Sequence, residues 1–496
     1  MKNLRLNNIV ILKSHGWAFI TILMLFIAYS STSYAQVISS GGKLAIMAGS
    51  TMTSASNMKI VSGGTLDIQG TLILKQNLIN EYTVPNSIGT GTLELSGTAN
   101  QSVSGQNIIR NLVVNNAAGV SINGNTRVDG TLTLTNGVVA LGANNLTLGP
   151  IASISGTPSA TKMVAADGSG QLRKEFASAG SFTYPVGDVT VTAEYSPVTL
   201  AFTSGTFGSN NYAGVNLTDD KYPSGDITGN YLTRYWNLAQ NNITAFNCNA
   251  TFNYLVADVT GTESGISCVK VNPLPWEGYS AANTATHTLT ANGINSFSTF
   301  TGAGIHSATL KVFLEGLYAG SGTMNQAFDE VGPHFGPGIA DQVTVELHNS
   351  ANYSVINYSL GLRNLSTTGN IAISAIPASY NSSYYITIKH RNSIETTSGA
   401  PVSFAGSTVN YDFSTAAGQA FGNNMKLMGT KYVIWGGDVN QDGIVDTGDM
   451  NPVENASTNV VMGYVVEDVN GDGIVDTGDM NIVENNSTDV VMAVLP

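Results

Sequence analysis

The chain has 496 residues, of which only 11% are charged and 42% hydrophobic, with 54 glycines. That length allows three to four domains, and the apolar content excludes a disordered chain. The formal net charge of −13 argues against a nucleic-acid partner.

The chain opens with Lys2, Arg5 and Lys13, then an apolar run from Trp17 to Tyr29, then Ser33-Tyr34-Ala35. This pattern predicts a signal peptide over 1–35, cleaved after Ala35. An uncleaved anchor is the alternative. The run falls short of the roughly 20 apolar residues a comfortable span needs, and no second run reaches that length. The expected product has no membrane span and is secreted or held at the cell surface.

Residues 36–160 repeat a short alternating motif. Examples are Thr65-Leu66-Asp67-Ile68, Thr92-Leu93-Glu94-Leu95 and Thr131-Leu132-Thr133-Leu134, each closed by Gly or Asn. Period-two alternation ending in a breaker is a short strand with one buried face. Such strands stack into a β-solenoid, each coil burying its face against the next. An irregular sandwich is the alternative, because the spacing drifts.

Residues 161–306 are richer in aromatics, and runs such as Tyr195 to Phe202 and Thr251 to Val256 predict a β-sandwich. Residues 307–436 predict a second, Ig-like sandwich, with strands at Leu310–Leu314, Val343–Leu347, Ile371–Ser374 and Tyr384–Ile388. Gly332-Pro333-His334-Phe335-Gly336-Pro337-Gly338 is expected to be loop. The fold class is therefore mainly β.

Residues 437–496 change sign. After residue 35 the chain carries 33 acidic and 17 basic residues, and these last 60 hold twelve of the acids with no Lys or Arg. A negative field this concentrated points to a cation. Asp438-Val-Asn440-Gln-Asp442-Gly443-Ile444-Val-Asp446-Thr-Gly-Asp449 is one twelve-residue loop. Thirty positions on, Asp468, Asn470, Asp472, Gly473, Ile474, Asp476 and Asp479 repeat it. Of the 26 positions aligned from 437 and 467, five differ. Calcium takes six to eight oxygens, and positions 1, 3, 5, 7, 9 and 12 of such a loop supply them. Ile444 and Ile474 would offer backbone carbonyls, and the other named residues side chains. Position 6 must turn sharply, which glycine allows. Two Ca²⁺ ions are thus the expected cofactors. Val445 and Val475 are expected to pair between the loops.

Tandem loops ending in Asp, in a chain with an export signal, resemble the type I dockerin module over 437–492. The resemblance implies an EF-hand-like pair folded around two calcium ions and docking onto a cohesin-like domain, often in polysaccharide breakdown. It implies selectivity at Thr447-Gly448 and Thr477-Gly478. Met450, Val453 and Ala456 give the first helix a thin apolar stripe, and Pro452 predicts a helix confined to its start. Asn459 to Val466 reads as extended. The arrangement from Leu310 onward, with Tyr384 to Ser393, also resembles the C-terminal part of large secreted proteins from Bacteroidetes.

Cys248 and Cys268 are the only cysteines. Export favours a disulfide, with two buried thiols as the alternative. No nucleophile elbow, zinc-protease motif, dinucleotide fingerprint or Walker loop occurs, so no catalytic site is expected. Trp276 and Tyr279 are candidates for a glycan platform, with core packing the alternative. Lys389-His390-Arg391, the one tight basic cluster, reads as a solvated strand end or as a partner for a sugar or the acidic tail. The expected role is structural or adhesive. An accessory glycan-binding subunit is the alternative, and a glycoside hydrolase or lyase a more distant one.

Overall fold

The computed structural model describes residues 36–496, so the expected signal segment lies outside the described residues. The chain is mainly β and divides into two compact units. The first holds the described residues through Pro223, with Tyr231–Cys268 and Ser280–Gly302. The second holds Ser224–Asn230, Val269–Tyr279 and Ala303–Pro496.

The first unit opens as a three-sided parallel β-solenoid. Strands Gln36–Ile38, Lys43–Ile46 and Thr51–Ser54 make one coil. Met58–Ile60, Thr65–Ile68 and Thr71–Leu74 stack on them strand for strand. Later coils follow at 19 to 26 residues per turn, with Met58 over Leu78, Leu78 over Val103, Val120 over Val139, and Leu146 over Leu172. The alternation read from sequence becomes vertical ladders. On one side Met52, Leu72, Leu93, Leu112, Leu132 and Ile154 lie in register. The four leucines are fully buried, each stabilising the stack by about 1.5–3 kcal/mol.

The period drifts because the corners vary while the strand registers do not. Some corners need close backbone approach: a Cβ on Gly91 would stand 2.1 Å from the Gly70 carbonyl oxygen. Other corners bury amides that bond one another, as Asn80 Nδ2 to Asn107 Oδ1 (3.0 Å) and Asn116 Nδ2 to Gln101 Oε1 (2.9 Å). Parallel pairing runs past residue 160 to Val186 and Gly187. At Leu172–Lys174 another ladder turns antiparallel onto the long strand Val198–Thr218, which pairs with Tyr231–Asn253.

The favoured disulfide does not form. Both cysteines are free and buried. The strand Thr299–Ala303 lies between Tyr231–Asn253, which holds Cys248, and Ser267–Lys270, which holds Cys268. Two sheet spacings of about 4.8 Å each exceed the roughly 7 Å a disulfide can bridge. Burial instead pushes the Cys248 thiol up to about 12 and raises that of Cys268 further still.

The second unit is built on an eight-stranded sheet. Its order is Ser393–Thr397, Ser383–His390, Ile339–Asn349, Ile356–Ser366, Asn370–Pro377, Ile305–Lys311 and Thr408–Asp412, with Val402–Ser403 beside Ser383–His390. Three of the four strands expected from alternation fall inside it, whereas the strand expected at Leu310–Leu314 lies mostly earlier, at Ile305–Lys311, and Val312–Leu314 leave the sheet. Val343, Val345, Leu360, Ile371, Ile386 and Phe313 fill its core. Within the breaker-rich loop only Gly332–Pro333 pairs, against Phe328–Asp329. Trp276 is core, not platform: it is 1% exposed, and its backbone N–H donates to the Tyr358 hydroxyl.

The acidic tail belongs to this unit. Helices α1 (Thr447–Thr458) and α2 (Thr477–Thr488) follow the two loops. Val439, Val445, Val453, Val469, Val475, Val483 and Val491 pack with Ile394 of the sheet in a small core. Pro452 does not confine α1 to its start, since the helix continues to Thr458. The proline gives up one bond, to the Gly448 carbonyl, while Val453 and Ala456 gain burial beyond it. Val445 and Val475 do not pair with each other. Val445 N–H donates to the Val491 carbonyl and Val475 N–H to the Val461 carbonyl. Each loop therefore bridges the segment after the other repeat's helix, Ile444 to Met492 and Ile474 to Met462. Asn459 to Val466 is a turn with that bridge rather than a strand.

Candidate metal centre

Each acidic loop is a chain of short side-chain-to-backbone bonds. In the first, Asp438 Oδ2 accepts from Gly443 N–H (3.2 Å), Asn440 Oδ1 from Asp442 N–H (2.8 Å), and Asp442 Oδ1 from Ile444 N–H (3.0 Å). The second repeats all three, with Asp468, Asn470 and Asp472 as acceptors. Such local bonds are what Asp and Asn offer a turn in place of helix or ladder. Gly443 and Gly473 have φ of +86° and +85°. Position 4 also turns left-handed, at Gln441 (+58°) and Gly471 (+71°).

The end of each loop is the start of a helix. Asp446 caps α1 by accepting from Gly448 N–H (2.6 Å), and Asp449 Oδ2 accepts from Asp446 N–H (3.0 Å). Asp476 and Asp479 do the same for α2. This reciprocal box sets positions 9 and 12. Asp449 Oδ1 reaches back to Val439 and Asn440 N–H (2.8 and 3.0 Å), closing the loop on its own beginning.

Burial divides the carboxylates. Asp438, Asp449, Asp468 and Asp479 are at most 2% exposed, whereas Asp442, Asp446, Asp472 and Asp476 are exposed. Burial, with Asp449 next to it, pushes the Asp438 carboxyl up to about 6. Burial likewise raises Asp468 to about 6, and raises Asp479. Asp438 Oδ1 is buried with no hydrogen-bond partner. An acidic oxygen left without a donor in a dry turn calls for a proton or a cation. The donor set here, carboxylates and amide oxygens without nitrogen or sulfur ligands, is what a hard cation such as Ca²⁺ takes. The bridges use groups flanking Ile444 and Ile474, namely Gly443 and Gly473 carbonyls and Val445 and Val475 N–H.

The loops rest on the sheet. Asn392 Nδ2 donates to the carbonyls of Val466 (3.1 Å) and Asp468 (2.9 Å), and Arg391 to that of Val465. Arg391 also lies 4.4 Å from the Tyr464 ring, whose hydroxyl bonds Asp341. His390 Nε2 bonds the same Asp341 at 3.1 Å and is itself buried. The basic cluster is thus no solvated strand end. Arg391 holds the acidic tail at the Val465 carbonyl, His390 bonds the Asp341 that takes the Tyr464 hydroxyl, and Lys389 pairs with Glu346 at 2.9 Å.

A second acidic cluster, which sequence reading missed, lies in the first unit. Among the described residues, Asp188, Glu194 and Asp219 are the set of three acids whose oxygens all converge within 4.8 Å. Their centre is held by the protein's own cation. The Arg234 guanidinium, fully buried, bonds Asp188, Glu194, Asp219 (3.3 Å) and Asp258 (2.9 Å). Burial would lower the Arg234 pKa, but the bonds to Asp258 and Asp188 outweigh it and hold it above the ordinary value. Burial raises Glu194 and Asp219 despite the guanidinium. These acids are 31 residues apart at most in Asp188 to Asp219, with no shared motif, so only the fold gathers them. In comparisons by family model, by sequence and by structure, no family, no curated protein and no solved structure matches this chain.

Proposed function

We propose that this chain is an exported, non-catalytic structural or adhesive protein whose C-terminal tail binds two calcium ions. The observation that carries the reading is the repeated loop. Both copies place buried aspartates at positions 1 and 12 with the same turn bonds, and one copy leaves Asp438 Oδ1 without a donor. Asp438, Asn440, Asp442, the Ile444 carbonyl, Asp446 and Asp449 would hold one ion. Asp468, Asn470, Asp472, the Ile474 carbonyl, Asp476 and Asp479 would hold the other. A bound ion supplies the charge that lets these carboxylates stay ionised when buried, so metal and folding are coupled.

The type I dockerin resemblance gives this tail a docking role towards a cohesin-like domain, with the preceding sheet as an Ig-like neighbour. Export is supported by the signal-like residues 1–35. No helix of the described residues is long and apolar enough to cross a membrane. Calcium titration of the chelated full chain, read by calorimetry, tests the metal reading. Two equivalents support it, and no heat up to millimolar calcium ends it.

The accessory glycan-binding reading is favoured by one feature. An open groove of about 590 Å³ carries Leu362, Arg363, Asn364, Ser366 and Asn370 along its wall. A glycan array with wild type and Asn364→Ala tests it, since binding that survives the substitution places the ligand elsewhere.

A further inference from the structure

Among the five positions where the repeats differ, one pairs Ala456 in α1 with Asn486 in α2. Both are buried. Ala456 shows that this helix position needs only a small apolar side chain. A fully buried amide there must find partners, and Asn486 finds an unusual set. Its Nδ2 donates to Glu315 Oε2 at 2.7 Å and to the Gly436 carbonyl at 2.8 Å. Lys426 Nζ donates to Asn486 Oδ1 at 3.0 Å, and also to Glu315 Oε1. Gly436 N–H donates to Glu315 Oε2 at 3.0 Å. An amine, a carboxamide and a carboxylate are therefore mutually bonded, the carboxamide and carboxylate buried and the Lys426 side chain half-buried at the edge of the site. Glu315 and Asn486 are 7% and 0% exposed, and the Trp435 ring lies 4.8 Å from Lys426 Nζ.

We propose that Lys426 and Asn486 become joined by an intramolecular isopeptide bond, with Glu315 carrying the proton. The Lys426 ammonium gives a proton to Glu315 Oε1. The free amine then attacks Cγ of Asn486, forming the Nζ–Cγ bond and placing negative charge on Oδ1. Glu315 passes its proton to Nδ2, the Cγ–Nδ2 bond breaks, and ammonia departs. Ammonia takes up the second proton released from Nζ and leaves as ammonium. No oxidant or added reagent is needed, and atoms and charge balance. Glu315 already touches the proton donor and the leaving nitrogen, so the three groups stand close to a reactive arrangement before any bond changes.

The bond would close residues 426 to 486 into a covalent ring that contains both acidic loops. It would tie α2 to the hairpin of Lys426–Met428 and Lys431–Val433 regardless of calcium, so the inference goes beyond the metal reading and does not rest on it. A covalent tie of this kind suits a chain that bears load outside the cell, where reversible contacts pull apart.

The test is the mass of the purified full chain, unfolded in denaturant, with a tryptic map. The expected mass lies about 17 Da below that of the sequence, the loss of one ammonia, and the map contains a branched peptide joining Lys426 to Asn486. Glu315→Gln and Asn486→Ala should restore the full mass. If Glu315→Gln fails to fold, Lys426→Arg keeps the charge but offers no comparable nucleophile, and it should also restore the mass. A wild-type chain with the full sequence mass and separate linear peptides for the two residues would overturn the proposal. So would a gain of about 1 Da at Asn486, which marks deamidation instead.

Discussion

The solenoid coils and the terminal loops are both repeats, yet they hold together by opposite means. A coil needs only an apolar side chain of roughly the right size on its inner face. Met52, Leu72, Leu112 and Ile154 serve in one ladder, whose successive rungs stand 19 to 22 residues apart. The loops need particular oxygens at particular places, and 21 of 26 aligned positions are identical. Hydrophobic burial is non-directional and tolerates drift. Turn bonds from particular side-chain oxygens to particular backbone N–H groups do not. The coils are therefore diverged and the loops nearly identical because of what each repeat must do physically.

The largest expected effect comes from breaking a ladder. Leu112→Ala removes a fully buried side chain between two coils, and should cost about 2–5 kcal/mol. Denaturant unfolding should show the loss, while calcium binding should be unchanged. If the calcium sites weaken as well, the two kinds of repeat are not independent.

Next is a pH effect confined to the solenoid's end. Lys174 occupies the ladder position above Leu148, 5% exposed, and burial lowers its pKa to about 8. Its Nζ donates to the carbonyls of Gly149, Pro150 and Glu175 at 2.6, 2.8 and 2.9 Å, which favours the charged form and opposes that shift. A lysine with a lowered folded pKa binds fewer protons folded than unfolded. Stability should thus rise as pH climbs from about 8 towards the unfolded value near 10.5, by at most about 3 kcal/mol. Unfolding of wild type against Lys174→Met across that range checks it, since the variant should lose the slope.

In the tail, Asp479→Ala removes the acceptor of the Asn470 and Asp476 N–H bonds. It should cost about 2 kcal/mol, and calcium affinity at the second loop should fall by about 100-fold or more. Calorimetry of the variant should retain one site. Retention of both would remove position 12 from the ligand set.

The smallest effect sharpens the comparison at one residue. Val460 and Val490 occupy equivalent places with φ of +54° and +55°, strained for a β-branched residue, and both are largely exposed. Val460→Gly should stabilise the tail by about 1 kcal/mol. A thermal melt showing destabilisation would mean that the valine side chain makes contacts that offset the strain.

Local chemistry was legible in the sequence, and long-range partnership was not. Alternation at Thr65–Ile68 or Thr92–Leu95 depends on neighbours two residues away, so it reads directly as a solenoid strand. The loop glycines and aspartates act within twelve residues, so the turn reads directly too. The partners of Arg234 come from residues 188 to 258, and nothing local marks them. The short spacing of the cysteines reads as a pair, but the strand Thr299–Ala303 separates them. Pro452 predicted a short α1, and the tertiary burial of Val453 and Ala456 overrode it. Val445 and Val475 looked like partners because they are duplicates, whereas each pairs with the other repeat's exit. Asn486 stood among the five differences from the start, but its meaning depends on Lys426 and Glu315, 60 and 171 positions away.

The tail's bonds to Asn392, Arg391 and Glu315 make the full chain the proper object for the central test. That measurement is calorimetric titration of the chelated full chain with Ca²⁺. Two sites, with one lost in Asp449→Ala and the other in Asp479→Ala, is the predicted result. Absence of binding up to millimolar calcium, the weak end for extracellular modules, would contradict the account and leave the repeated loops as acidic turns without a metal.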